Sequence, residues 1–257
     1  MWPLTVGGAE LFGLLLVRCM GFYVAGPIFA QRNLPAQVKI LLGVTTAIAL
    51  FTMASQTPVS PPADLAGFAL AVAGETFMGI VLAFGASLPF VGIRLAGSLM
   101  GMQMGFGIVN VMGARGGEQH VPIIARFYDI LAVTLFLLLD GHHLLLQALG
   151  TSLRLIPLGG VAFSAGLAGQ LVAMAGSVFV TAMSVGGPII AVLFLADAAM
   201  GFVARTVPQM NIFIVGFPIK IGLGLLGISL TIPHFFRTVQ GLTTGLERDL
   251  LALLSGM

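Results

Sequence analysis

The sequence predicts an all-α membrane protein, and three observations carry that prediction. Apolar residues fill 58% of the 257 positions and charged residues only 8%, where soluble domains run at about 25% charged. The apolar residues form long continuous runs, which suit helices rather than the short alternating strands of a barrel. Glycine occurs 35 times, roughly double its usual share, and that suits close packing of helices. A net charge of +2 gives no reason to expect a nucleic-acid partner. Cys19 is the single cysteine, so no internal disulfide can form, and its apolar surroundings predict a buried, inert thiol. The first residues lack a cationic run and Glu10 precedes any positive charge, so no secretory signal peptide is expected.

Six apolar blocks follow, at about 9–30, 40–54, 65–93, 122–150, 167–204 and 211–233. Arg32, Asn33 and Pro35 separate the first pair, and Pro58, Pro61 and Pro62 the second. Gly113–Gly117 and the Pro157 to Gly160 stretch mark two further breaks. After Asp64 no turn signal appears until Gly105, and Pro89 would kink that helix rather than end it. Such a helix is about 60 Å long at 1.5 Å per residue, twice the hydrocarbon thickness. The 167–204 block is also overlong, with Gly186-Gly187-Pro188 as a candidate break. Either these are broken hairpins or their apolar surface meets protein instead of lipid, and the second is favoured. Small residues recur every four positions at Gly97, Gly101 and Gly105, and at Ala165, Gly169, Ala173, Ser177 and Thr181; both ridges predict helix interfaces. In 234–254, Val239, Leu242, Leu246, Leu250 and Leu253 make one apolar stripe opposite Arg237, Thr244 and Arg248. That predicts an amphipathic helix lying on a membrane or a partner.

The charges inside apolar sequence are costly, about 2.5–3.5 kcal/mol each at a helix centre. Asp197, Arg205 and Lys220 sit in LADAAMGFVARTVPQMNIFIVGFPIKIGLG with Pro208 and Pro218. Partner subunits, a water-filled path or internal ion pairs would offset the cost. Lys220 and Arg205 are expected to serve carbonyls that the prolines leave without a donor. Arg126 and Asp129 share a helix face three apart, which predicts a structural pair. Asp129, Asp140 and Asp197 could alternatively form a proton relay. Adjacent His142 and His143 point about 100° apart on a helix, which argues against a shared metal, and no metal or cofactor is expected. Ser152 is read as a helix-end residue. No GxSxG, HExxH or phosphate loop occurs, so catalysis is not expected.

The stretch from Gly105 to His120, GFGIVNVMGARGGEQH, is apolar at Phe106, Ile108, Val109, Val111 and Met112, then glycine-rich at Gly113, Gly116 and Gly117. Apolar bulk excludes water from a constriction, and glycine permits backbone movement, so the loop reads as a seal or gate. Met100, Met102 and Met104 precede it, adaptable side chains suited to irregular surfaces.

Across essentially its whole length the chain resembles the FliR family, the R subunits of the flagellar type III export gate. The resemblance rests on LVRCMGFYVAGPIFAQRNLPAQVKILLG, on GMQMGFGIVNVMGARGGEQHVPIIARFYDILAVTLFLLLDGHHLLLQAL with LRLIPLG, and on Arg205, Pro208, Gln209, Asn211 and Phe213 with Gly216, Phe217, Pro218 and Lys220. Met112-Gly113 stands where many members carry Asp-Pro. The resemblance implies kinked helical hairpins assembling with P and Q subunits into a helical gate lifted above the membrane plane. The B component would wrap it, and unfolded flagellar proteins would be its substrates. It implies a single membrane-embedded subunit, residues 1–257. A P-like part of about 1–179 would hold the plug loop 105–120, and a Q-like hairpin and tail would cover about 180–254. Met100, Met102 and Met104 would face the channel; Arg126, Asp129, Arg205, Pro208, Gln209, Asn211, Pro218 and Lys220 would serve assembly. The place would be the bacterial inner membrane at the flagellar basal body. Two rivals remain: the equivalent subunit of a virulence type III system, and a proton-coupled transporter with broken helices at Gly186–Pro188 and Pro218.

Overall fold

The computed structural model describes residues 6–27, 29, 35–54, 64–107, 122–160, 165–207, 209 and 211–256. Among these there are seven helices and no strand: α1 (Val6–Ala25), α2 (Ala36–Ala54), α3 (Leu65–Gln103), α4 (Ile123–Leu138), α5 (Gly141–Leu155), α6 (Ala165–Thr206) and α7 (Ile212–Ser255). The all-α expectation holds. The six-block reading does not, because 122–150 is two helices of 16 and 15 residues, each short of the ~20 that cross a bilayer. Asp140 takes a left-handed conformation (φ 55°) and turns the chain between them. Five helices, α1, α2, α3, α6 and α7, are long and apolar enough to cross a membrane.

The overlong helices are unbroken. α3 has 39 residues, α6 has 42 and α7 has 44, and Pro89, Pro188, Pro218 and Pro233 all lie inside them. Neither Gly186–Pro188 nor Pro218 ends a helix, so the broken-hairpin alternative is not what the chain adopts. The starts follow local chemistry. Asp64 caps α3 by accepting from the Gly67 amide at 3.3 Å. Pro122, extended at φ −52° and ψ 137°, precedes α4, and its missing N–H costs nothing where helical donors are unpaired anyway.

The chain packs as two compact units. Unit 1 comprises residues 1–88, 140–175 and 243–257. Within it α1 lies on α2, with Phe12 edge-on to Phe51 at 5.8 Å and Tyr23 hydrogen-bonded to Thr46 at 2.7 Å. Leu14, Leu15, Cys19, Phe22, Met78 and Leu82 form its core. Leu246, Leu250 and Leu253 are buried too, and Leu250 and Leu253 reach Gly85 on α3. That corrects the tail: residues 234–254 continue α7, and the lower part of the predicted apolar stripe packs on the chain itself.

Unit 2 comprises residues 89–139 and 176–242. Here Gly97 and Gly101 of α3 meet Ala125, Ile124 and Pro122 at α4, so this small-residue ridge is an interface. The other ridge is largely uncovered among the described residues. Thr181 is buried near Gly92, whereas Gly169 has nothing close and Ala173 and Ser177 are exposed. Phe90–Phe136 and Tyr128–Phe235 meet edge-on at 5.2 and 5.0 Å.

Candidate functional site

The site is the stem from which the expected gate loop leaves α3. At its end the Met104 amide donates to the Met100 carbonyl at 2.9 Å and the Gly105 amide to Met102 at 3.0 Å. Gly105 then turns with φ 96°, a conformation that side chains resist. A side chain there would also strike the Phe217 ring of α7, 2.5 Å away. Met104 is fully buried against Gly224 of α7. One residue earlier, Gln103 donates to Asp197 of α6 at 2.8 Å, and Asp197 forms an ion pair with Lys220 of α7. Aromatic, sulfur and ionic contacts therefore fix the stem on two helices. The returning segment lies close as well, because a methyl placed on Gly101 would meet Pro122 and Ile124 at 3.5 and 3.6 Å.

Of the predicted loop, Phe106 is described and half-buried. Ile108, Val109, Val111, Met112, Gly113, Gly116 and Gly117 lie outside the described residues, as does Pro208. The methionines divide: Met100 and Met104 are buried inside unit 2, and Met102 is exposed. Asp129 is buried but is held by Arg94 of α3 at 2.8 Å, not by Arg126, which is exposed. The pair thus joins two helices rather than decorating one. Lys220 likewise finds a carboxylate, Asp197, and not the carbonyl that Pro218 leaves without a donor. Arg205, Gln209, Asn211 and Pro218 are exposed, and the Asn211 carbonyl accepts from the Ile214 amide at the start of α7.

Sequence inspection overlooked the most deeply buried polar cluster. In unit 1, Arg18, Glu75 and Ser152 are each 0% exposed. Arg18 Nε donates to Glu75 at 2.5 Å, while both terminal nitrogens donate to the Ile156 carbonyl at 3.1 Å and one reaches Ser152 Oγ at 3.3 Å. The other Glu75 oxygen accepts the Gly159 amide at 2.8 Å. Ser152 is therefore part of a core network rather than an open helix end. The signal was available: Arg18 and Glu75 are charges of opposite sign within long apolar runs.

The ion pair at the stem gives a measurable role to Lys220. Lys220→Ala is expected to destabilise by about 1 kcal/mol, since the pair is only partly buried. A double-mutant cycle with Asp197→Asn in the purified assembly measures it. Zero coupling would show that the stem does not depend on this pair.

Fold and site together define a polytopic all-α membrane protein with uncovered apolar helices and a loop anchored at both ends. The chain belongs to the bacterial export proteins, family 1, whose family model matches residues 9–246. It is 34% identical over 253 residues to the flagellar biosynthetic protein FliR of Bacillus subtilis, covering 95% of each chain. It is 32% identical over 248 residues to the FliR of Pectobacterium carotovorum, covering 93% of this chain and 92% of that one. With the FliR of Escherichia coli it shares 30% over 213 residues, 82% of this chain and 79% of the relative.

Proposed function

We propose that the chain is a non-enzymatic core subunit of the flagellar type III export gate. It forms part of the channel that passes unfolded flagellar proteins across the inner membrane at the basal body. The observation that carries this reading is the end-to-end similarity to flagellar biosynthetic proteins. Physical features agree with it. Phe179, Phe194, Leu195 and Phe202 on α6 and Ile214, Leu226 and Leu230 on α7 are exposed, on helices about twice the length a bilayer covers. Protein partners would cover that surface, and the P, Q and B components are the partners proposed. Residues of about 180–254 would form the Q-like part and about 1–179 the P-like part. The loop 105–120 would seal the channel by dewetting, with Gly105 as its fixed root.

The test uses a strain lacking this chain. The full chain should restore secretion of flagellar proteins. A version without residues 108–117 should assemble with its partners but leak small ions. Failure of the full chain to restore secretion would refute the flagellar reading. Closed-level conductance in the deletion would refute the seal, and loss of assembly would make the loop structural.

A further inference from the structure

We propose that Asp140, His142 and His143, at the turn between α4 and α5, form a site for a divalent cation of the zinc class. One donor atom from each residue lies within 4.8 Å of the others. The expected 100° divergence of the two histidines does not separate them: their rings stand 4.2 Å apart between centroids, tilted by 37°. The left-handed Asp140 brings its carboxylate to the same side, 3.7 Å from His143 Nδ1. Zinc holds nitrogen and oxygen donors at about 2.0–2.2 Å. Two donors on one ion are therefore at most about 4 Å apart, so the set must contract by less than about 1 Å. Asp140 and His143 are exposed and can rotate to do so.

A second observation points to a ligand. His142 Nδ1 is shielded from solvent and, among the described residues, has no hydrogen-bond partner. Buried imidazole nitrogens are ordinarily satisfied, and a cation is a partner that the protein itself does not supply here. Two imidazoles and one carboxylate are the donors that zinc, nickel and copper share, whereas calcium and magnesium ask for oxygen alone. Water would complete the coordination, since two of the three ligands face solvent. The N-terminal dipole of α5 opposes a cation, and the Asp140 charge offsets it. Neither α4 nor α5 is a candidate membrane span, so nothing in their length or composition confines the site to a bilayer interior. A bound ion would staple the turn residue Asp140 to the first turn of α5.

The experiment uses the full chain in its isolated assembly, stripped with chelator and re-equilibrated with Zn2+ alone. Elemental analysis should find about one retained ion per chain, and Co2+ in its place should give a saturable visible spectrum of low-coordinate type. Asp140→Gly removes a ligand while suiting the left-handed backbone, and His143→Gln removes another from an exposed position. Each should weaken binding at least about tenfold, and the pair should abolish the Co2+ spectrum. Equal retention by wild type and the double variant would overturn the site. So would the lack of saturable binding by the wild-type chain, which needs no variant to fold.

Discussion

Glu75→Ala should destabilise the chain by about 3–5 kcal/mol, the range for removing one partner of a buried ion pair. The loss exceeds the pair itself. Arg18 would keep its charge at 0% exposure, and the Gly159 amide would lose its acceptor. Arg18 also ties the end of α5 through the Ile156 carbonyl, so the effect should spread from α1 and α3 to the turn at 156–160. Thermal melting of the purified assembly reads the result. Methionine at both Arg18 and Glu75 should recover part of the loss, because an apolar pair has no charge to bury. Recovery stays partial while Gly159 and Ile156 lack their partners. A Glu75→Ala assembly that melts within a degree of wild type would show that the network is dispensable.

Gly79→Ala should cost about 3 kcal/mol, at the upper end for overpacking, since backbone and not a side-chain tip is in the way. A methyl at Gly79 would run into the Arg18 carbonyl and lie 2.8 Å from the Phe22 amide. Opposite, a methyl at Gly21 would lie 2.6 Å from the Thr76 carbonyl. α1 and α3 thus touch backbone to backbone, next to the ion pair that joins them. Gly13→Ala is the control: nothing lies within 4 Å of a methyl there, and alanine favours helix by up to about 1 kcal/mol. Equal melting temperatures for the two variants would remove the close crossing.

Helical class and the unusual length of α3 and α6 were legible because apolar runs and turn residues act locally; the length of α7 was not, because its amphipathic second half reads as a separate tail. The split at Asp140 was marked only by the turn dipeptide Asp140-Gly141, which is outweighed by apolar residues continuing to 150 on its far side. Proline misled at Gly186–Pro188, where a long helix absorbs one missing hydrogen bond without ending. At the stem, Asp197 and Lys220 announced themselves as charges in hydrocarbon. Their pairing with each other bridges two helices, and the bond from Gln103 to Asp197 joins residues 94 positions apart, which no local spacing encodes. Arg126 and Asp129 show the converse failure: correct spacing for a pair, but a better-placed Arg94 on the neighbouring helix. Arg18 and Glu75 obey the same cost argument as Asp197, and they are partners 57 positions apart, which no local spacing pairs.

The length of α6 and α7 has a consequence for how much of this chain a cell can hold. A newly made copy leaves the insertion machinery with hydrophobic surface on both helices that no bilayer of ordinary thickness can take up. Until other chains close over it, that surface is what aggregation and membrane proteolysis act upon. Surplus copies are then expected to be short-lived, so that raising synthesis of this chain alone should leave its steady-state level unchanged.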